Sequence, residues 1–281
     1  MASLYELKKR MSSITTAGQL ANAMKTVSAA KFSETGRLLA AFSKYTSACS
    51  DIASYIEEND GLRTVPAQDA PDLYVIFGSP RSLCGNFNSL LFPYVEKTLN
   101  ESEGTAEIYS VGKTVSASLK NKGCCVKEYP IGDVPDFDSC LSLIDDAVNN
   151  YRFGKIRSVN VIYMKMINAI VQEPNIRKIL PAVLREKNDS RSETEVLFFP
   201  DKTTISASFF EKSIKASIYE AILESAASLH AATLNAMRTA CDNAKESFRA
   251  LEIEINQKRQ AIITSGVIET SADLFNEGDD L

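Results

Sequence analysis

Tryptophan is absent, histidine appears once, at His230, and all nine prolines lie between Pro66 and Pro200. One histidine is too few for a His-rich zinc site, and a Cys/His catalytic pair would have to recruit it from an alanine-rich stretch. The six cysteines, Cys49, Cys84, Cys124, Cys125, Cys140 and Cys241, include no CxxC pair and read as reduced structural thiols in a reducing compartment. The opening MASLYELKKRM lacks the apolar segment of a secretory signal. A net charge of -5 argues against a nucleic-acid partner. The charge is uneven, with a basic start and an end carrying Glu269, Asp273, Glu277, Asp279 and Asp280.

Where proline is missing, a helix is free to run. From Asp201 onward apolar residues recur at Ile214, Ile218, Ile222, Ala226 and Leu229, then at Met237, Ala240, Ala244, Phe248, Leu251, Ile255 and Ile262. Steps of mostly three or four predict one helix over 205–281 with a single apolar stripe. At about 1.5 Å per residue it would be on the order of 100 Å long, which demands a coiled-coil partner. Recurrent charges, from Glu211 and Lys212 to Asp242 and Lys245, exclude a bilayer span, so no direct membrane insertion is expected. Residues 1–58 hold a matching stripe: Leu4, Leu7, Met11 and Ile14, then Leu38, Phe42, Tyr45, Cys49, Ile52 and Ile56. Between them Gly18, Ala21, Ala29 and Ala30 would admit a partner backbone. The two stripes can bury each other as an antiparallel pair; the alternative is that each packs on its own globular core.

Residues 59–70 read as a linker broken by Gly61 and Pro66. Residues 70–200 then alternate. Strands are predicted at Leu73–Phe77, Ala106–Val111, Cys124–Tyr129 and Val159–Ile167, with helices at Ser89–Asn100, Lys113–Asn121 and Phe137–Tyr151. Cys124 and Cys125 would point to opposite faces of their strand. Glu195–Phe199 is a candidate edge strand behind a charged loop, Glu186–Glu193. Such alternation implies βαβ units and a largely parallel sheet. The expected fold class is therefore α/β: a long antiparallel coiled coil of N- and C-terminal helices plus a Rossmann-like domain.

The loop Gly78–Asn88 stands where open α/β sheets hold phosphates, yet it has neither GxGxxG nor the Lys-Ser/Thr of a P-loop. Cys84 has no base near it in sequence and reads as part of a turn. Asp145 with Asp146, and Glu252 with Glu254, read as solvated helix faces. No catalytic residue, metal ligand or cofactor is expected. Asn256, Lys258, Arg259 and Gln260 beside Ile262 and Ile263 leave two readings open: a solvated face, or forked hydrogen-bond donors for carboxylates on an enclosing partner.

Four separated stretches, NAMRTACDNAKE (Asn235–Glu246), EINQKRQAIIT (Glu254–Thr264), AMKTVSAAKF (Ala23–Phe32) and RSLCGNFN (Arg81–Asn88), together resemble the gamma subunits of rotary F-type ATP synthases, as does EPNIRKILP (Glu173–Pro181). The resemblance spans the chain in order. It implies a non-catalytic central shaft that transmits torque between a membrane rotor ring and a catalytic hexamer of alpha and beta subunits, beside an epsilon-type subunit. By position, Arg259 and Gln260 would hydrogen-bond a beta-subunit loop, Thr264 would follow on the same face, and Met24 and Lys25 would face the beta levers. Arg81, Cys84 and Gly85 match the family's foot-domain loop. The location implied is peripheral, on the cytoplasmic face of a bacterial inner membrane or the matrix face in a mitochondrion. The chain departs from the family at Pro80, Ser82 and Asn86 in that loop, at Leu229 and Thr233 where a Glu and an Arg are usual, and at Gly266. It also lacks a cysteine-bearing regulatory insertion. A paralogous shaft or adaptor in a rotary-like ATPase, or a freestanding small-molecule-binding α/β protein dimerised by its helices, remain as alternatives.

Overall fold

A computed structural model describes residues 3–53, 70–102, 105–181 and 202–278. The predicted strand 195–199, the loop 186–193 and most of the linker lie outside the described residues, as do 54–58 of the first helix. The chain divides into two compact units, one of Met1–Val27 with Leu234–Leu281 and one of Ser28–Thr233.

Two long helices supply both units. Helix α1 spans Leu4–Ala53 and opens on a reciprocal cap: Ser3 Oγ accepts the Glu6 N–H, and Glu6 Oε2 accepts the Ser3 N–H at 2.7 Å. The other long helix begins at Lys202 and ends at Gly278.

In the second unit, β1 (Asp72–Phe77) is the hub. It is followed by α2 (Phe87–Glu101), β2 (Ala106–Val111), α3 (Lys113–Asn121), β3 (Val126–Tyr129), α4 (Phe137–Arg152), β4 (Ser158–Met166) and β5 (Gln172–Leu180), so the long C-terminal helix is α5. The sheet order is β3-β2-β1-β4-β5. β1 pairs in parallel with β2 and β4, β2 in parallel with β3, and β5 runs antiparallel to β4. Both faces of β1 are covered, which is why LYVIF reads as an unbroken apolar run. Leu73, Val75 and Phe77 join Leu143, Ala147 and Ile218 from α4 and α5, while Tyr74 and Ile76 join Phe87, Leu91, Val115 and Leu119 from α2 and α3.

Three details depart from the sequence reading. The strand predicted at Cys124 begins at Val126, because Gly123 in the left-handed conformation (φ 80°) closes α3 and the Cys124 N–H returns to Leu119 O at 3.2 Å. Cys124 and Cys125 therefore precede the strand rather than alternate across it. Strand β5, which contains Pro174, has no counterpart in the sequence assignment. Among the described strands β5 pairs only with β4, and an edge position tolerates proline. Lastly, the second stripe of α1 is turned: Thr35 and Cys49 are buried and Leu39, Phe42 and Thr46 partly so, whereas Leu38, Tyr45 and Ile52 are exposed. The Phe42 ring sets this facing by meeting Tyr219 edge-on at 4.8 Å and Phe137 at 6.5 Å.

Candidate partner-binding surfaces

In the first unit, α1 and α5 run antiparallel and close-packed. Ala21, Met237 and Cys241 form the seam, with Met24, Ala236 and Ala240 against them, and Leu7 and Leu251 are buried further along. A Cβ built on Gly18 would lie 3.3 Å from the Ala244 Cβ, so the small residues in NAMRTACDNAKE and around Gly18 let the backbones approach. Equal counting from that contact brings Ser3 level with Arg259. Residues beyond Arg259 thus extend past the described start of α1.

That geometry sorts the predicted contact residues. Arg259, Gln260 and Thr264 are exposed on the overhanging end of α5, with the Thr264 hydroxyl donating to Gln260 O at 2.9 Å. Beside them Ile262, Ile263, Val267 and Ile268 are 54–63% exposed. Met24 and Lys25 are half-buried, and Met24 belongs to the seam between the helices. By the same count they lie about 30 Å along the pair from Arg259, so the structure does not bring the two groups together. A groove of about 550 Å³ runs between them, lined by residues that include Ile14, Gln19, Phe248 and Arg249.

Arg81, Cys84 and Gly85 belong to the second unit, in the loop after β1. The Ser79 hydroxyl donates to Arg81 O at 2.6 Å and accepts the Arg81 N–H at 3.1 Å, and the Phe87 N–H donates to Cys84 O at 3.3 Å. Cys84 is buried among Tyr74, Ile76 and Phe87, so its thiol is a filler of the turn, whereas Arg81 and Gly85 are exposed. The start of that loop is packed tightly against the start of α3. The Thr114 hydroxyl donates to Ser79 O, a Cβ on Gly78 would overlap Val115 at 1.9 Å, and one on Gly112 (φ 108°) would meet Gly78 O at 2.6 Å. Those two glycines serve close packing here.

Sequence reasoning missed a polar cluster at Asp133. Its carboxylate accepts hydrogen bonds from Lys31 of α1 and from Arg81 at 3.0 Å, and its main-chain carbonyl lies 2.7 Å from His230 Nε2 of α5. A carbonyl can only accept, so Nε2 carries the proton. Burial pushes His230 below the usual histidine range, with Lys31 and Arg81 adding to that and the Asp133 carbonyl opposing it. Burial alone would raise the Asp133 carboxyl; the hydrogen bond and charge of Lys31, with Arg81, outweigh it and hold the group below the usual carboxylate range. No spacing rule joins residues 31, 81, 133 and 230. The acidic pair on α4 is likewise engaged rather than merely solvated: Asp146 accepts from Lys127 at 2.6 Å and Tyr129 at 2.5 Å, and Asp145 from Lys215 at 2.7 Å.

Among the described residues no helix is long and apolar enough to cross a membrane. A family model described as ATP synthase matches residues 3–272. The ATP synthase gamma chain of Ruthia magnifica subsp. Calyptogena magnifica is 27% identical, over 96% of this chain and 97% of its own length. That of Flavobacterium johnsoniae is 29% identical over 96% of each chain. In fold, the chain is similar to one in the Euglena gracilis mitochondrial ATP synthase (OSCP/F1/c-ring, rotational state 3), with a TM-score of 0.65 at 16% identity and coverage of 96% and 93%. A chain of the central stalk and c-ring of the Tetrahymena thermophila mitochondrial enzyme matches with a TM-score of 0.58 at 22% identity, over 79% of this chain and 99% of that one.

Proposed function

Because the chain belongs to the ATP synthase family, we propose that it works as the gamma-type central shaft, carrying torque between a membrane rotor ring and a hexamer of alpha and beta subunits. It is a non-catalytic subunit, peripheral to the membrane, and ATP is made or hydrolysed on the beta subunits. The working face is cytoplasmic in a bacterium and faces the matrix in a mitochondrion.

The observation that carries this reading is the overhanging end of α5. Ile262, Ile263, Val267 and Ile268 stay exposed beyond the described start of α1, beside Arg259 and Gln260. Fully burying an aliphatic side chain of this kind is worth about 1.5–3 kcal/mol, so four on one helix end favour enclosure by a sleeve. Arg259 supplies a planar, permanently charged fork for carboxylates on that sleeve, and Gln260 a neutral donor and acceptor. Thr264 continues the contact. Met24 and Lys25 form a second, separate contact with the beta levers, through the Lys25 ammonium more than the seam-bound Met24. In the other unit, Arg81 and Gly85 meet the rotor ring or the epsilon-type subunit, with Cys84 holding their turn. A shaft whose surface differs around its circumference touches each beta subunit differently, and such differential contact is what shifts a conformational equilibrium.

Reconstitution tests it. The purified chain, mixed with cognate alpha and beta subunits, should give a complex in which ATP drives one-way rotation of a bead fixed to residues of the sheet domain. A hexamer that ignores the chain, with the chain instead running as a homodimer on size exclusion, would end the shaft reading.

A further inference from the structure

The loop between β3 and α4 fastens the sheet domain to both long helices. The Asp133 carboxylate holds Lys31 of α1 and Arg81 of the loop after β1, its carbonyl accepts the His230 N–H of α5, and two residues on the Pro135 carbonyl accepts the Tyr219 hydroxyl of α5 at 3.0 Å. All of these groups lie within one unit. Given the shaft reading above, on which this rests, we propose that Asp133 is a positioning residue that locks the sheet domain against twisting relative to α1 and α5, so that torque entering at the foot reaches the helices without slip.

The physical case turns on direction. The apolar contacts of α5 with the sheet, through Ile214, Ile218 and Ile222, supply cohesion, but hydrophobic burial is itself non-directional. Hydrogen bonds are directional, and charge-assisted ones are roughly twice as strong as neutral ones. Asp133 concentrates three hydrogen bonds on one residue, from three different segments, and those of Lys31 and Arg81 are charge-assisted. Its side chain is 24% exposed, and that of Lys31 27%, so solvent screens the pair only in part. Removing the carboxylate would leave the Lys31 ammonium and the Arg81 guanidinium facing each other without a counter-charge. The apolar contacts stay in place when the Asp133 contacts are cut, as does a second polar tie, in which Glu220 of α5 accepts from Arg177 of β5 at 3.1 Å and from Thr46 of α1 at 2.9 Å. Loss of the Asp133 contacts therefore changes compliance more than cohesion.

The test uses the assembled complex with the hexamer fixed to glass and a bead on the sheet domain. Asp133→Asn, and Lys31→Met from the α1 side, should each raise the angular variance of the paused bead roughly twofold and lower the ions pumped per ATP in vesicles, while ATP hydrolysis continues. Asp133→Glu should recover most of the stiffness. Glu96→Gln, which cuts the unrelated surface pair with Lys122, should match the wild type. Wild-type variance and pumping in both Asp133→Asn and Lys31→Met, or equal softening by Glu96→Gln, would overturn the proposal. A wild-type bead that never rotates would instead defeat the shaft reading.

Discussion

Helix α5 is one continuous element with two unlike halves. Between Ile214 and Ala232 it is buried on almost every side: Ile214, Ala216, Ile218, Tyr219, Ala221, Ile222, Leu223, Ala227, Ala231 and Ala232 all sit in the interior of the sheet-containing unit. From Met237 onward the described residues are covered along a narrow line, by Met237, Cys241 and Leu251, and past Arg259 Ile262, Ile263, Val267 and Ile268 face outward. Both halves are rich in alanine and both carry the three-and-four spacing. The difference lies in what each meets. The first half meets its own chain on several sides, so its small residues are packing constraints. The second meets one partner helix among the described residues, and Ile262, Ile263, Val267 and Ile268 are exposed along it.

The sharpest way to break this contrast is to put the same change in both halves. Ala227→Leu inserts three carbons into a site with no exposure and should destabilise the fold by about 1–3 kcal/mol or prevent it, whereas Ala250→Leu on the exposed face should stay within about 0.5 kcal/mol of the wild type. Urea unfolding of the two variants reads this directly. Comparable losses would mean the halves are not distinct.

Arg259→Ala addresses the open half from the functional side. Arg259 is exposed, level with the described start of α1. Its removal should lower ATP-driven rotation rate or ion pumping about tenfold, about 1.4 kcal/mol of coupling, with the melting temperature of the free chain unchanged. A melting temperature that falls along with coupling would assign Arg259 to the fold instead.

The closed half should also respond to pH. His230 is held below its ordinary value in the folded chain, so the unfolded chain binds the proton first as pH drops. Stability is full above about pH 6.5 and declines from there down to the lowered folded value, where it levels off. Asp133, also lowered, adds a second loss as pH falls below about 3.8 and through its folded value. Denaturant midpoints between pH 7.5 and 5.5 should fall for the wild type and stay nearly flat for His230→Gln. A flat wild-type profile would contradict the burial argument. The smallest expected effect is Gly266→Ala: among the described residues nothing lies within 4 Å of the added methyl, so thermal unfolding should show a gain of at most about 1 kcal/mol from helix propensity, and a loss would mean that a close contact exists there.

What could be read from residues alone followed from periodicity and from chain breakers. Helix α3 occupies Lys113–Asn121, as its apolar spacing and the glycines on either side require, and β1 is visible because a strand covered on both faces is apolar at every position. Strand β5 was not assigned from the residues, and the Pro174 it contains is compatible with a strand at a sheet edge. The facing of α1 near Phe42 was misjudged because a coiled-coil seam and a sheet-domain contact impose different angles on one helix. The groups around Asp133 come from positions 31, 81, 133 and 230, and no local pattern relates them.

The sequence by itself determined that two proline-free ends would be long helices, that the middle would alternate strand and helix, and that charge would keep the helices out of a bilayer. These are properties of residues within a few turns of one another, where propensity and period act. Tertiary structure alone decided which faces were closed: that Met24 belongs to a seam, that Cys84 is buried against the sheet, that α5 outruns the described start of α1, and that Asp133 ties three segments together. Burial and hydrogen bonding between distant segments depend on where the chain returns in space, and spacing along the chain carries no record of that.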